Sequence, residues 1–138
     1  MVDPVFRFPI RVYWEDTDAG GVVYHASYLR FLERARTEWL RAMGVAQQAV
    51  KDEHGIVMVV REMRIDFLKP ARLDDMLSAT SVLTERRRAS FLVAQELFRG
   101  EELLVRAEVR AACVTANEFR PCALPPWLLP DKTDGVNR

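Results

Sequence analysis

The spacing of hydrophobic residues changes along the chain from alternation to a helical period and back to alternation. Residues 5–14 alternate loosely and are rich in aromatic and β-branched residues, which predicts a first strand. From Ser27 the apolar residues recur at intervals of three and four, which predicts an amphipathic helix that stops at Gly44. Its predicted buried stripe comprises Tyr28, Phe31, Leu32, Ala35, Trp39, Leu40 and Met43.

Four later segments return to the alternating pattern of strands. They are predicted at residues 56–68, 76–84, 90–98 and 103–115. The last is the clearest, because apolar residues from Val105 to Cys113 alternate with charged residues. The polar segment 47–55 is predicted to be a connection, and the proline-rich tail 121–130 to end in a short turn of helix packed on the body.

The predicted order is one strand, one long helix and four antiparallel strands. Strands and helices do not alternate along the chain, which argues against a doubly wound parallel sheet. A single long helix needs a broad apolar surface, and a curved antiparallel sheet of about five strands supplies one. We therefore predict an α+β fold of the hotdog type, with one central helix wrapped by the sheet and residues 1–138 forming a single domain. Exposed outer strands favour association by sheet extension.

Composition excludes several classes of protein. Hydrophobic residues make up 49% of the 138 residues, and 20 basic residues balance 20 acidic ones. This mixture is typical of a globular protein and gives no basic surface for nucleic acid. No apolar run approaches the ~20 residues of a transmembrane helix. Without a signal peptide, we expect a cytoplasmic protein in which Cys113 and Cys122 are free thiols.

Candidate chemistry concentrates in one segment before the helix. The chain lacks the motifs of serine hydrolases and phosphate-binding loops, and neither a structural zinc nor a calcium site fits its Cys, His and Asp spacing. Asp18 precedes Gly20, Gly21 and the predicted helix start. A carboxylate can act as base or nucleophile, while free N–H groups of a first helical turn can polarise a carbonyl. The glycines allow a tight turn and close approach of a substrate, although a plain turn explains the same residues.

Three stretches resemble one enzyme family. Residues 15–41, EDTDAGGVVYHASYLRFLERARTEWLR, are similar to the signature of the Tol-Pal-associated (YbgC-like) acyl-CoA thioesterases, a group within the 4-hydroxybenzoyl-CoA-thioesterase-like branch of the hotdog superfamily. The resemblance continues through residues 60–75, the last strand and residues 120–125. It implies hydrolysis of acyl-CoA without a metal or cofactor, by a homodimer or homotetramer, with acyl carrier protein as an alternative thioester donor and a link to the Tol-Pal system.

The resemblance also implies roles for individual residues. Asp18 falls on the catalytic carboxylate of the family, and His25 on the residue whose backbone N–H polarises the thioester carbonyl. Tyr24 would lie in the pocket wall, beside a backbone turn at Gly20 and Gly21. Whether the His25 ring takes part stays open, as does the choice between Asp18 as base and as nucleophile. Asp16 carries no such role, and we expect it to be structural.

Arg86, Arg87 and Arg88 form the densest basic cluster. They lie between two predicted strands, where they could bind the phosphates of coenzyme A or form a solvated turn. Two other functions compete with hydrolysis. One is a hotdog module that binds acyl thioesters without cleaving them, and the other is a dehydratase, for which His25 alone gives weak support.

Overall fold

The structure, a computed structural model, describes residues 5–130. In this part of the chain five strands, two α-helices and one 3₁₀ turn follow one another. The first helix begins after a loop, and the last four strands are consecutive. In chain order the elements are β1 (Phe6–Arg11), the 3₁₀ turn (Trp14–Asp16), α1 (Ser27–Ala42), α2 (Gln47–His54), β2 (Ile56–Phe67), β3 (Met76–Arg86), β4 (Ser90–Arg99) and β5 (Glu102–Thr115).

The strands form one antiparallel sheet in the order β1-β3-β4-β5-β2. Alternation in β5 follows the prediction, because Val105, Ala107 and Val109 are buried while Arg106 and Glu108 are exposed. A two-residue turn joins β4 to β5, and Gly100 there adopts a positive φ of 64°. The predicted α+β arrangement of one long helix on a five-stranded antiparallel sheet is confirmed.

Helix α1 buries its predicted stripe from Tyr28 to Leu40, whereas Met43, also predicted to be buried, follows the last residue of the helix and is 47% exposed. Its first half packs with β1, β3 and the end of β4 in a cluster that includes Phe31 and Leu97. Its second half packs with β4, β5 and the tail in a cluster that includes Trp39 and Phe91. Leu32 is fully buried. No helix among residues 5–130 is long and apolar enough to cross a membrane.

Two predicted local structures were wrong. Segment 47–55 is not a plain connection, because Gln47–His54 form α2, which ends at Gly55 with φ of 68°. Val50 is the buried residue of this helix, so α2 has no repeated apolar spacing from which a helix could be predicted. The described tail contains a hydrogen-bonded turn, Leu128 N–H to the Pro125 carbonyl, but no helix. Its prolines lack the N–H donors that a helix requires.

The tail nevertheless packs on the body through Leu124, Leu128 and Leu129, which are buried. Cys113 of β5 and Cys122 of the tail are free thiols with their sulfur atoms 3.4 Å apart. Burial, with a hydrogen bond to Cys122, raises the pKa of the Cys113 thiol to about 12. Both thiols therefore belong to the packing between β5 and the tail.

Two leucines of α1 offer a matched test of this packing. Leu32 is fully buried, whereas Leu29, one turn earlier, is 45% exposed. We expect Leu32→Ala to lower the free energy of unfolding by about 2–5 kcal/mol, because it leaves a cavity, and Leu29→Ala to change it by about 0.5 kcal/mol or less. Urea denaturation measures both. Equal losses in the two variants would contradict the assigned face of α1.

Candidate active site

Asp18 lies at the tip of a short hairpin-like loop. Thr17 and Val23 form an isolated antiparallel bridge at its base. Inside the bridge, the Asp18 N–H donates to the Val22 carbonyl at 2.9 Å, and the Gly21 N–H donates to the Asp18 carbonyl at 3.0 Å. These bonds fix the backbone of Asp18 while its side chain stays exposed.

The two glycines have different tasks in this loop. Gly21 has a φ of 80°, in the left-handed region that costs other residues free energy. The Gly20 N–H donates to Oδ1 of Asp18 at 2.8 Å, and a Cβ at Gly20 would lie 3.2 Å from that oxygen. The loop thus orients one carboxylate oxygen of Asp18. Among the described residues, no hydrogen-bond donor reaches the second oxygen, Oδ2.

Asp16 fastens both ends of the same loop. Its side chain is 6% exposed, and Oδ2 accepts the Tyr13 N–H at 2.8 Å. Its carbonyl accepts the Tyr24 N–H at 2.8 Å, across the loop. Arg30 lies 3.9 Å from Oδ1. This placement is consistent with the structural role expected of Asp16, and it separates the two acids of the DTD sequence.

The turn that leads into α1 leaves two backbone donors unpaired. The chain turns at Tyr24, whose carbonyl accepts the Ser27 N–H at 2.8 Å, and the His25 carbonyl accepts the Tyr28 N–H at 3.3 Å. Within residues 5–130 no acceptor lies within hydrogen-bond distance of the N–H groups of His25 and Ala26. Unpaired N–H groups at a helix start carry the positive end of the helix dipole, so they can bind an oxygen atom.

Two open clefts flank this helix start. We call the first the loop cleft; it measures ≈ 570 Å³ and is lined by Trp14, Thr17, Asp18, Ala19, Gly21 and Leu73. The second, the helix-start cleft, measures ≈ 250 Å³ and is lined by Val23, His25, Tyr28, Phe67, Leu68, Lys69 and Pro70. Asp18 and His25 therefore share the same loop but line neighbouring clefts.

Segment 69–75, which connects β2 to β3, is the wall shared by both clefts. The Val23 N–H donates to the Ala71 carbonyl at 2.8 Å, and the Ala71 N–H donates to the Tyr28 hydroxyl at 3.0 Å. Burial raises the pKa of the Tyr28 phenol, partly offset by the hydrogen bond from Ala71. Sequence reasoning placed Tyr28 in the apolar stripe, and no local signal marked its bond to residue 71.

Arg99 holds the same segment from the side of the sheet. Its guanidinium donates to Asp75 Oδ2 at 2.7 Å, to Glu102 Oε1 at 2.8 Å and to the Pro70 carbonyl at 3.3 Å. Burial raises the pKa of Asp75, but the Arg72 N–H and the Arg99 guanidinium outweigh it and the net pKa is lowered. No local pattern along the chain predicts this contact.

Aromatic rings surround His25. The Tyr24 and His25 rings are 4.7 Å apart between centroids, and Phe67 of β2 lies 6.4 Å from His25. Phe67 also contacts Tyr28, at 5.6 Å. Tyr24 and Phe67 are about half exposed, at 47% and 49%. Phe67 lines the helix-start cleft, whereas Tyr24 lines neither cleft and contacts the His25 ring beside it.

The arginine cluster lies away from these clefts. Met76, where β3 begins, pairs with Arg11 beside the loop, whereas Arg86 is the last residue of β3. At about 3.3 Å per residue the two ends are about 30 Å apart. Arg86 donates to the carbonyls of Pro125 and Leu128 at 2.7 and 3.1 Å, whereas Arg87 and Arg88 are exposed. One chain does not bring these arginines to Asp18.

The described part of the chain contains no cluster of potential metal ligands. No group of three or more His, Cys, Asp or Glu side chains there is placed to hold a metal ion. The loop and the helix start bring together one exposed carboxylate, two unpaired backbone donors and aromatic rings. The sheet order and the long helix packed on the sheet are those of a hotdog-type fold.

Comparison with known proteins agrees with that class. Residues 12–131 match the Thioesterase-like superfamily. The chain is 46% identical to the acyl-CoA thioesterase YbgC of Haemophilus influenzae, over 91% of this chain and 92% of the relative. It is 50% identical to the acyl-CoA thioester hydrolase YbgC of Escherichia coli, over 91% and 93%.

Solved structures show the same fold. A probable thioesterase from Bartonella henselae is 38% identical, with a TM-score of 0.83 over 88% of this chain and all of that one. A 1,4-dihydroxy-2-naphthoyl-CoA thioesterase from Synechocystis is 27% identical, with a TM-score of 0.82 over 90% and 92%. The chain belongs to the YbgC-like acyl-CoA thioesterases of the thioesterase superfamily. It is an enzyme that hydrolyses thioesters, rather than a module that only binds them.

The Tyr28 hydroxyl provides a test of the shared wall. In Tyr28→Phe the buried Ala71 N–H loses its acceptor, so we expect the free energy of unfolding to fall by about 1–3 kcal/mol. Tyr13→Phe is the matched control, because the Tyr13 side chain is exposed. Hydrogen exchange at Ala71 should accelerate in Tyr28→Phe alone. Unchanged exchange there would show that Tyr28 does not hold segment 69–75.

Proposed function

We propose that Asp18 and the first turn of α1 carry out the hydrolysis of acyl-CoA. The observation that supports this most is the pairing of an oriented, exposed carboxylate with unpaired N–H groups seven residues later on the same loop. The thioester carbonyl oxygen would lie against the N–H groups of His25 and Ala26. These donors strengthen their bonds as the oxygen gains negative charge, so they favour the transition state over the substrate.

Two routes are open for Asp18. As a general base, Oδ2 takes a proton from water, the hydroxide attacks the thioester carbon, and the carbon–sulfur bond breaks to release the coenzyme A thiolate. As a nucleophile, Oδ2 attacks the same carbon and displaces the thiolate, which gives a mixed anhydride that water then hydrolyses. The Gly20 N–H on Oδ1 leaves Oδ2 available for either route.

Several residues would position the substrate. We assign the turn of Gly20 and Gly21 to close approach of the thioester, and Tyr24 to the wall beside it. Exposed Arg88 is better placed than its neighbours to bind phosphates, because Arg86 already donates to two tail carbonyls and Arg87 lies 3.3 Å from the carboxylate of Glu85. Their distance from Asp18 in one chain means that these arginines would act on a substrate bound to a partner copy. The predicted roles of acyl carrier protein and the Tol-Pal system rest on the family resemblance, and the proposed cytoplasmic location is supported by the free thiols of Cys113 and Cys122.

The edge strand β2 supports the predicted oligomer. The other edge, β1, has six residues and contains Pro9, two features that protect an edge from pairing. Strand β2 has 12 residues and carries exposed Val60 and Phe67. Two copies paired antiparallel along β2 would extend the sheet and cover the helix-start cleft, which Phe67 lines. We propose this dimer; a tetramer would need a further surface.

A charge on β2 tests the dimer. Val60 is 50% exposed on this edge, so Val60→Lys places two ammonium groups in the proposed interface and should shift the protein to the monomer. Val5→Lys, beside β1, is the control and should leave the dimer intact. Sedimentation velocity distinguishes the two states. A Val60→Lys protein that sediments like the parent would exclude β2 as the interface.

Replacing the carboxylate tests the chemistry. We expect Asp18→Asn to lower kcat by at least about 10²–10⁴-fold, because the amide can neither accept the proton nor attack the carbon. A thiol-reactive dye measures the coenzyme A released from a panel of acyl-CoAs. The control is Asp52→Asn, an exposed carboxylate on α2. Near-parental hydrolysis by Asp18→Asn would remove Asp18 from the mechanism.

A further inference from the structure

Residues 72–75, at the end of segment 69–75, form a tight turn with a strained backbone. The Asp75 N–H donates to the Arg72 carbonyl at 3.1 Å, and the Arg72 N–H donates back to Asp75 Oδ2 at 2.8 Å. Between them Asp74 has a φ of 72°, in the left-handed region that only glycine adopts without cost. Such a conformation persists only where the surrounding contacts hold it.

The end of β1 holds this turn from one side. The Asp74 N–H donates to the Val12 carbonyl at 3.0 Å, and the Val12 N–H donates to the Asp75 carbonyl at 2.9 Å. Arg11 donates to the Asp74 carbonyl at 2.7 Å. These three bonds attach the turn to β1, which forms one edge of the sheet.

Arg99, the last residue of β4, holds the turn from the sheet interior. Its Nη1 donates to Asp75 Oδ2 at 2.7 Å and to the Pro70 carbonyl at 3.3 Å, while Nη2 donates to Glu102 Oε1 at 2.8 Å. Hydrogen bonds to Glu102 and Asp75 raise the pKa of Arg99. One guanidinium thus binds segment 69–75 near both of its ends, at Pro70 and at Asp75.

The turn is paired in its other direction with the loop that carries Asp18. Arg72 and Val22 form an isolated antiparallel bridge, and the Val22 carbonyl accepts the Asp18 N–H at 2.9 Å. Leu73, between Arg72 and the strained residue, lines the loop cleft together with Asp18. A displacement of the turn would therefore move the backbone that bears the carboxylate.

We propose that Arg99 is a positioning residue for thioester hydrolysis, which fixes the Asp18 loop by holding turn 72–75 through Asp75 and Pro70. Arg99 lines neither the loop cleft nor the helix-start cleft, so it acts through the turn and not on the substrate. A guanidinium suits this task, because its planar donors hold several acceptors in fixed directions, whereas an ammonium is a point charge. The proposal rests on the role proposed for Asp18.

Replacement of Arg99 tests the proposal through kcat and KM separately. We expect Arg99→Met to lower kcat about tenfold to a hundredfold, because a shift of about 1 Å in a positioned group costs that much. KM should change by less than about twofold, since Arg99 lines neither cleft. Arg99→Lys keeps the charge without the planar donors, so its kcat should lie between those of Arg99→Met and the parent. Release of coenzyme A measures both constants, well below the unfolding temperature of each variant.

Arg110→Met is the matched control. Arg110 forms an ion pair of the same length, 2.7 Å to Glu85, and its side chain is only 9% exposed. Leu92, its partner on β4, precedes Arg99 by seven residues, which is about 23 Å along the strand. This variant loses a comparable ion pair away from the turn, so its kcat should equal that of the parent.

A double variant tests whether Arg99 acts through Asp18. In an Asp18→Asn background the carboxylate is already lost, so adding Arg99→Met should lower the residual rate by less than about twofold. A further loss of about tenfold would show that Arg99 acts independently of Asp18, and would overturn the proposal.

The outcomes separate this proposal from that for Asp18. A parental kcat in Arg99→Met or Arg99→Lys, with Asp18→Asn inactive, would overturn the role of Arg99 and leave that of Asp18 intact. Equal losses of kcat in Arg99→Met and Arg110→Met would assign Arg99 to stability alone. Near-parental hydrolysis by Asp18→Asn would overturn both proposals.

Discussion

Burial of one stripe of α1 against the sheet is the constraint on which the other features depend. Phe31, Leu32 and Ala35 are fully buried, and burial of a side chain as large as that of Phe31 or Leu32 contributes about 1.5–3 kcal/mol. A helix transmits position along its length, so packing at these residues also fixes the turn that precedes them. The N–H groups at His25 and Ala26 therefore point in a direction set by the core. A loop alone would not hold them so accurately.

The loop that carries Asp18 buries little apolar area of its own. Polar contacts therefore hold this loop to α1. Asp16 bonds the chain before and after the loop, at Tyr13 and Tyr24. Segment 69–75 then joins the loop through Val23 and the helix through Tyr28. A displacement of about 1 Å of a positioned catalytic group lowers the reaction rate. These hydrogen bonds therefore matter more for the geometry of the site than for the total stability of the fold.

Much of the fold follows from local pattern, whereas contacts within the site depend on distant pairs. The long strands and α1 were predictable because their apolar periods run through many residues, and α2 was not, because it buries Val50 alone. Asp18, Gly20 and Gly21 were singled out because they share one short segment with a predicted helix start, whereas the role proposed for His25 came from the family resemblance. The bonds Tyr28–Ala71 and Arg99–Asp75 span 43 and 24 residues, and no local pattern predicts such pairs.

The contrast between the start and the middle of α1 has a physical basis. At its start the proposed chemistry relies on neutral N–H groups, which favour a charge that develops on the carbonyl oxygen in the transition state. A guanidinium at that point would also bind the carboxylate product and so retard its release. On α1 the fixed cation stands three turns later, at Arg36, held by Gln95 and away from the thioester.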